Sequence, residues 1–130
     1  MSLRILLVVL VLWTGIGPLS AHHSFAAEFD ATKRVQLTGV ITKVDWTNPH
    51  VWFYVNVTDE ATGKLVYWAA EMGSPNALTR SGWTRNTMKI GMVVTFTGAL
   101  AKDGSNRVNT NSVFVDGKKL GAASSEGDRP

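Results

Sequence analysis

VQLTGVITKVDW, the segment Val35–Trp46, sets the architecture expected for this chain. The segment is rich in β-branched residues, and its apolar and polar side chains nearly alternate, which predicts a long first β-strand. Gly39 lies inside the segment, where a glycine indicates a bulge or a sharp bend. A bent first strand is what closure of a small barrel requires.

The sequence after Trp46 predicts four further strands and one short helix. The expected strands are His50–Val57, Leu65–Glu71, Met92–Leu100 and Val108–Val115. Ser74 and Pro75 are typical of a helix N-cap and first turn, and Gly82 of a helix end, so a helix is expected in between. We therefore expect a mainly β chain, a five-stranded OB-like Greek-key barrel with one helix between strands 3 and 4. An open sandwich or another small five-stranded barrel would give a similar pattern.

The first 21 residues, MSLRILLVVLVLWTGIGPLSA, have the pattern of a secretory signal peptide. Arg4 provides the positive start, and Ala21 is a small residue at the expected cleavage position. The apolar run Ile5–Trp13 is shorter than the roughly 20 residues that span a bilayer, which favours cleavage over a membrane anchor. We expect a signal peptide at 1–21, a single domain at 22–120 and a disordered tail at 121–130, in a periplasmic or secreted protein without a stable membrane span.

Composition limits the possible functions. The chain has 130 residues, a formal net charge of +3 and no cysteine. One domain is expected from this length, and disulfides, thiolate metal sites and cysteine nucleophiles are excluded. The basic excess is too small for a groove that tracks a nucleic-acid backbone, and the export signal also argues against nucleic acid. The sequence has no Gly-x-Ser-x-Gly elbow, no phosphate-binding loop, no His-Glu-x-x-His pair and no dinucleotide fingerprint, which leaves an enzyme unsupported.

Histidines are the first candidate for chemistry, and there are three: His22, His23 and His50. Cleavage after Ala21 would make His22 the N-terminal residue, whose amine and ring Nδ1 can chelate one metal ion together. His50 follows Pro49 at the start of a strand and could supply a third nitrogen, with His23 as a substitute ligand. A nitrogen-only site suits Cu(II), so we expect a small binding module that holds copper. The alternative is that the histidine pair is an exposed polar start and that His50 caps a strand.

Aromatic residues are the second candidate. In an OB-fold, strands 2 and 3 and the loops joining strands 1–2 and 4–5 form the ligand face. The residues expected there are Trp46, Asn48, Trp52, Asp103 and Asn106. The rings would suit a partner protein in the cell envelope, a glycan or a small planar ligand, with no metal involved. Most such rings fill cores, so we expect only some to be exposed. A copper enzyme is a third alternative, which would need an open coordination position and a substrate surface.

Through four sequence motifs, the chain resembles a family of small exported bacterial proteins that is known as a domain of unknown function. The motifs are HHSFAAEFD at 22–30, GVITKVDWTNPHVW at 39–52, EMGSPN at 71–76 and AKDGSN at 101–106. The resemblance covers nearly the whole expected mature chain and implies export and a single small β domain. It implies no activity, so no catalytic residue follows from it.

Overall fold

The structure is a computed structural model that describes residues 25–127. The expected signal peptide, His22 and His23 lie outside the described residues. The elements are α1 Phe25–Glu28, β1 Phe29–Asp45, β2 Trp52–Thr58, β3 Leu65–Glu71, α2 Pro75–Arg80, β4 Val93–Ala101, β5 Arg107–Val115, β6 Lys118–Gly121 and a final 3₁₀ turn, Ser125–Gly127. None of the helices in this part of the chain is long and apolar enough to cross a membrane.

The fold is mainly β, with six strands in one sheet across the described residues. The strand order is β3-β2-β1-β4-β5-β6, and these neighbours pair antiparallel. β3 also pairs with β5 in parallel, from Ala69 opposite Arg107 to Glu71 opposite Asn109. Hydrogen bonding therefore runs in a ring through β1, β2, β3, β5 and β4, and β6 extends the sheet beyond β5.

β1 is long because its two halves pair with different strands. Residues 29–40 pair with β4, and residues 40–45 pair with β2, so Val40 has a partner in each. Gly39 lies at this change of partner, where a Cβ atom would come within 2.6 Å of the Asn56 carbonyl oxygen. The register shift that marks a bulge falls between Ile41 and Lys43, two residues after the expected position.

Alternation in β2 builds the core as the sequence predicts. Val51, Phe53, Val55 and Val57 are all buried on one face. Phe53 meets Phe96 of β4 edge to face, with ring centroids 5.2 Å apart. Fully burying such a side chain stabilises the fold by about 1.5–3 kcal/mol.

α2 is a short helix of six residues, Pro75–Arg80. Ser74 is its N-cap, with the Ser74 Oγ accepting a hydrogen bond of 3.2 Å from the Ala77 N–H, and Pro75 is its first residue. The helix buries Leu78 against the core. Past the helix, the indole of Trp83 is buried and donates a 2.8 Å hydrogen bond to the Gly121 carbonyl oxygen.

Both ends of the domain differ from expectation. The sequence gives residues 22–34 no clear period, yet β1 begins at Phe29. Phe29 is buried in a second small cluster with Ala99 and Ala101, against which Phe25 packs. Because the residues of this cluster are far apart in sequence, they produce no local hydrophobic periodicity from which the strand could be predicted.

The expected disordered tail is ordered up to residue 127. Lys118–Gly121 is a strand paired with β5, although it carries two lysines and a glycine. Ala122 is fully buried, and its carbonyl oxygen accepts a 2.8 Å hydrogen bond from the Gly73 N–H. Backbone hydrogen bonds hold this segment in place, so its small polar side chains carry no hydrophobic pattern that would predict a strand. Residues 128–130 lie outside the described part.

Candidate functional site

His50 and Glu71 form a pair at one end of the sheet. His50 Nδ1 lies 3.9 Å from Glu71 Oε1, a distance longer than a hydrogen bond but short enough for ionic attraction. The backbone fixes this arrangement: the Val51 N–H donates to the Gly73 carbonyl at 2.9 Å, and the Met72 N–H donates to the Val51 carbonyl at 2.8 Å. These bonds hold the segment that begins at His50 beside the end of β3.

The two nitrogens of the His50 ring differ in their surroundings. Nδ1 is buried and has no hydrogen-bond partner among the described residues. The His50 side chain as a whole is 33% exposed, so its accessible surface lies elsewhere than at Nδ1. Nε2 is therefore the nitrogen left for an external ligand.

Glu71 is a carboxylate in an unusual position, since it is only 5% exposed at the end of an apolar strand. Burial raises the pKa of Glu71 above its ordinary value, and the negative charge of Glu28 adds to the increase. His50, Arg107 and a hydrogen bond from Asn109 act on the pKa in the opposite direction. The site thus contains a carboxylate that favours a positively charged or proton-donating neighbour.

Asn109 connects this carboxylate to the C-terminal segment. The Asn109 amide nitrogen donates to Glu71 Oε1 at 3.4 Å and to Ser125 Oγ at 2.9 Å. The Ser124 hydroxyl donates to the Asn109 carbonyl oxygen. Arg34 of β1 forms an ion pair with Glu126. The segment after β6 is therefore fixed beside the buried Glu71.

The described chain begins near the same site. The Phe25 ring stacks on Phe29, with centroids 5.9 Å apart, and Arg107 lies over the Phe29 ring at 5.8 Å. Arg107 and Glu28 both affect the pKa of Glu71, as described above. The first helix is thus within electrostatic reach of the His50–Glu71 pair.

The residues predicted in the loop between strands 1 and 2 lie beside His50. Trp46 is half-buried and packs against the core, whereas Asn48 is exposed and joined to Pro49 by a cis peptide bond. Trp52 is half-buried and lies directly opposite Glu71 in the β2–β3 register. Because residues directly opposite each other in an antiparallel pair share a face, Trp52 and Glu71 project to the same side.

Asp103 and Asn106 are exposed in the turn between β4 and β5. Asp103 pairs with Arg107 at 3.1 Å, and the carbonyl of Asn106 accepts a 3.0 Å hydrogen bond from the Ala69 N–H. Within residues 25–127, no hydrogen bond or ion pair links this turn to Trp46, Asn48 or Trp52. The structure therefore joins the turn to β3 and β5 rather than to the His50 loop.

Exposed aromatic surface lies further along β2 and β3. The rings of Tyr54 and Tyr67 stack with centroids 5.7 Å apart, and Lys43 lies 5.2 Å from the Tyr54 centroid. Tyr67 is 53% exposed. The expectation that some rings remain accessible is met by this tyrosine, while Trp83 is buried.

For a metal ion, the described residues offer a partial donor set. No group of three or more histidine, aspartate or glutamate side chains between residues 25 and 127 is arranged to hold one. His50 is the available imidazole, and Glu71 lies behind it. A site with a second imidazole ligand would need His22 or His23.

Sequence reasoning overlooked Glu71 and Asn109. Glu71 had a visible signal, because a carboxylate ends the otherwise uncharged strand LVYWAAE directly before the Gly73-Ser74-Pro75 turn. Asn109 is one of several polar residues in β5, so nothing in the sequence marked it as a partner of a buried carboxylate. Ser124 and Ser125 belong to a segment whose composition suggests disorder.

Fold and site together describe a small, mainly β protein with a histidine–carboxylate pair at one end of its sheet, in which the carboxylate is buried. The chain belongs to the family of unknown function DUF6152, which matches residues 11–110. The resemblance to an uncharacterised family is thereby confirmed. No curated protein and no solved structure matches the chain.

Proposed function

We propose that this protein is an exported, non-enzymatic binding module with an OB-like Greek-key barrel, and that it binds Cu(II) through His22 and His50. The ring of paired strands in the order β1-β2-β3-β5-β4 supports the barrel, because it closes five strands on one another. The element order, with α2 between β3 and β4, is also that of an OB-fold. The proposed location is the periplasm or the extracellular space.

The observation that carries the proposal is the orientation of His50. Histidine ligands almost always direct their second ring nitrogen to a carboxylate, a carbonyl or water, which fixes the tautomer and raises the basicity of the ligating nitrogen. Here the buried Nδ1 faces Glu71 at 3.9 Å, and Nε2 is left for the metal. Glu71 acts from behind the histidine and is not a ligand in this proposal.

The other nitrogens would come from the mature N-terminus. His22 precedes Phe25 by three residues, and three extended residues reach about 10 Å. Phe25 belongs to the helix that ends at Glu28, whose charge is felt at Glu71. The amine and Nδ1 of His22 together with Nε2 of His50 would give three nitrogen donors, a set that suits Cu(II) at the top of the divalent affinity series.

The test is a calorimetric titration of Cu(II) into protein that begins at His22. One-to-one binding with a sub-micromolar dissociation constant is expected, because chelation by the amine and ring of one residue is completed by a second residue. His50→Ala should weaken binding at least about tenfold, since an imidazole ligand is lost. A matched protein whose His22 amine is acetylated keeps every side chain but blocks the amine as a ligand, and it should also bind weakly. Equal affinity in all three proteins would contradict the proposal.

A second candidate function uses the stacked tyrosines. The exposure of Tyr67 and its contact with Tyr54 favour docking of an envelope glycan or protein on this face, without a metal. Tyr67→Ala would then abolish binding to purified peptidoglycan or to an envelope protein fraction, while His50→Ala would have no effect. Loss of binding in both variants would contradict this alternative as stated.

A further inference from the structure

A cleft lies far from His50, where β1 leaves β2 to pair with β4. Its volume is about 680 Å³, and its walls include Leu37, Val57, Val66 and Trp68 from β1, β2 and β3. Leu37 and Trp68 also pack against the main core, and Val57 belongs to it. The cleft therefore exposes one end of the hydrophobic core to solvent, with an indole as part of its wall.

A second cavity adjoins the cleft. Its volume is about 560 Å³, and it is lined by Val40, Leu65 and Val93 among other residues. Leu65 and Val93 are 67% and 65% exposed, which is high for large aliphatic side chains. Thr38, Thr58 and Glu60 line both cavities, so the two form one continuous surface. We call this surface the Glu60 groove.

The charged side chains that line the Glu60 groove are all acidic. Glu60 lies where the two cavities meet, and Asp59 lines the larger one. Among the residues that the structure describes, no lysine or arginine lines either cavity, although the whole chain has a net charge of +3. Asp59 is already engaged, since its Oδ1 accepts hydrogen bonds from the Ala61 and Thr62 N–H groups. Glu60 makes no ion pair within the described residues.

We propose that the Glu60 groove binds small organic cations that carry an apolar chain. The chain would lie on the aliphatic residues of the two cavities, and the positive group would lie beside Glu60, within reach of the Trp68 ring. Apolar contact supplies affinity, and a carboxylate with an aromatic face selects a cation over a neutral molecule of the same shape. This site is independent of the copper proposal, because it shares no residue with His50, Glu71 or the N-terminus.

Nuclear magnetic resonance in metal-free buffer tests the proposal, with hexyltrimethylammonium as the probe. The indole N–H signal of Trp68, assigned with a Trp68→Phe variant, should shift in a saturable manner. Glu60→Gln should weaken binding by about threefold or more, since one exposed charge pair is lost. Asp116→Asn removes a carboxylate outside the groove and should leave binding unchanged.

Two further probes separate charge from hydrophobicity. The neutral 1-hexanol should bind more weakly than the cation, and hexanoate more weakly still, because Glu60 repels it. Binding of 1-hexanol as tightly as the cation would overturn the proposal. So would equal affinity in the Glu60→Gln variant, or a Trp68 signal that does not move at the highest probe concentration.

Discussion

Replacing Trp83 by phenylalanine tests how the C-terminal segment is held. The indole is 1% exposed, and its Nε1–H donates to the Gly121 carbonyl oxygen at 2.8 Å. Phenylalanine keeps an aromatic ring but removes this donor. Because Gly121 is exposed, water can replace the donor, so the loss is that of one ordinary hydrogen bond, about 0.5–1.5 kcal/mol. The smaller ring adds about 1 kcal/mol through lost packing. The expected loss of unfolding free energy is therefore about 1.5–2.5 kcal/mol.

Urea unfolding followed by far-ultraviolet circular dichroism measures this change. Trp68→Phe is the matched control, because Trp68 is half-buried and its indole makes no hydrogen bond among the described residues. Hydrogen exchange adds a local readout: the Gly73 amide, which donates to the Ala122 carbonyl, should lose protection in Trp83→Phe. A loss below about 1 kcal/mol, or one equal to the control, would refute the reasoning that the Trp83–Gly121 bond anchors the segment.

Two other predictions concern the sheet and the turn after β4. Gly98→Ala should strongly destabilise the fold, since its Cβ would lie 2.1 Å from the Asn109 carbonyl oxygen. Gly121→Ala is the control, because a Cβ there meets no atom within 4 Å. Similar melting temperatures for the two variants would contradict this prediction. Hydrogen bonds from the Ser105 side chain and backbone hold the pKa of Asp103 below its ordinary value of 3.8. The charged carboxylate therefore stabilises the folded state above pH 3.8, and this stabilisation is lost as the pH falls through the folded-state pKa. Asp103→Asn should therefore lower the urea midpoint at neutral pH and not in strong acid; a difference that does not change with pH would contradict the assignment.

Local patterns predicted the central strands well. The expected bounds of the second to fifth strands differ from those of β2–β5 by no more than two residues at either end. Alternation produced this agreement, because a half-buried strand repeats every two residues. Ser74 and Pro75 were selected from the sequence for their roles at a helix start, and they are the N-cap and first residue of α2.

Features that depend on distant contacts were not predictable. β1 extends back to Phe29 because Ala99 and Ala101 of β4 cover that ring. β6 forms because the edge of β5 offers backbone partners, for which the Lys118–Gly121 side chains need no apolar pattern. Both require knowledge of which strands are neighbours.

The candidate site was predictable in part. His50 and the loop around Trp46 were selected from the sequence, and the structure places Glu71 behind that histidine. Glu71 was not selected from the sequence, because the β2–β3 register that places it opposite Trp52 is a tertiary fact. His22 and His23 lie outside the described residues, so their part in the site remains a prediction.

Electron paramagnetic resonance of one equivalent of Cu(II) bound to protein beginning at His22 determines whether His50 ligates the metal. Nitrogen hyperfine structure reports how many nitrogens ligate the copper. Three are expected: the amine and Nδ1 of His22, and Nε2 of His50. In His50→Ala the spectrum should change to two nitrogens. A spectrum that is the same in both proteins, or one with mainly oxygen ligands, would contradict the claim that His50 completes a copper site.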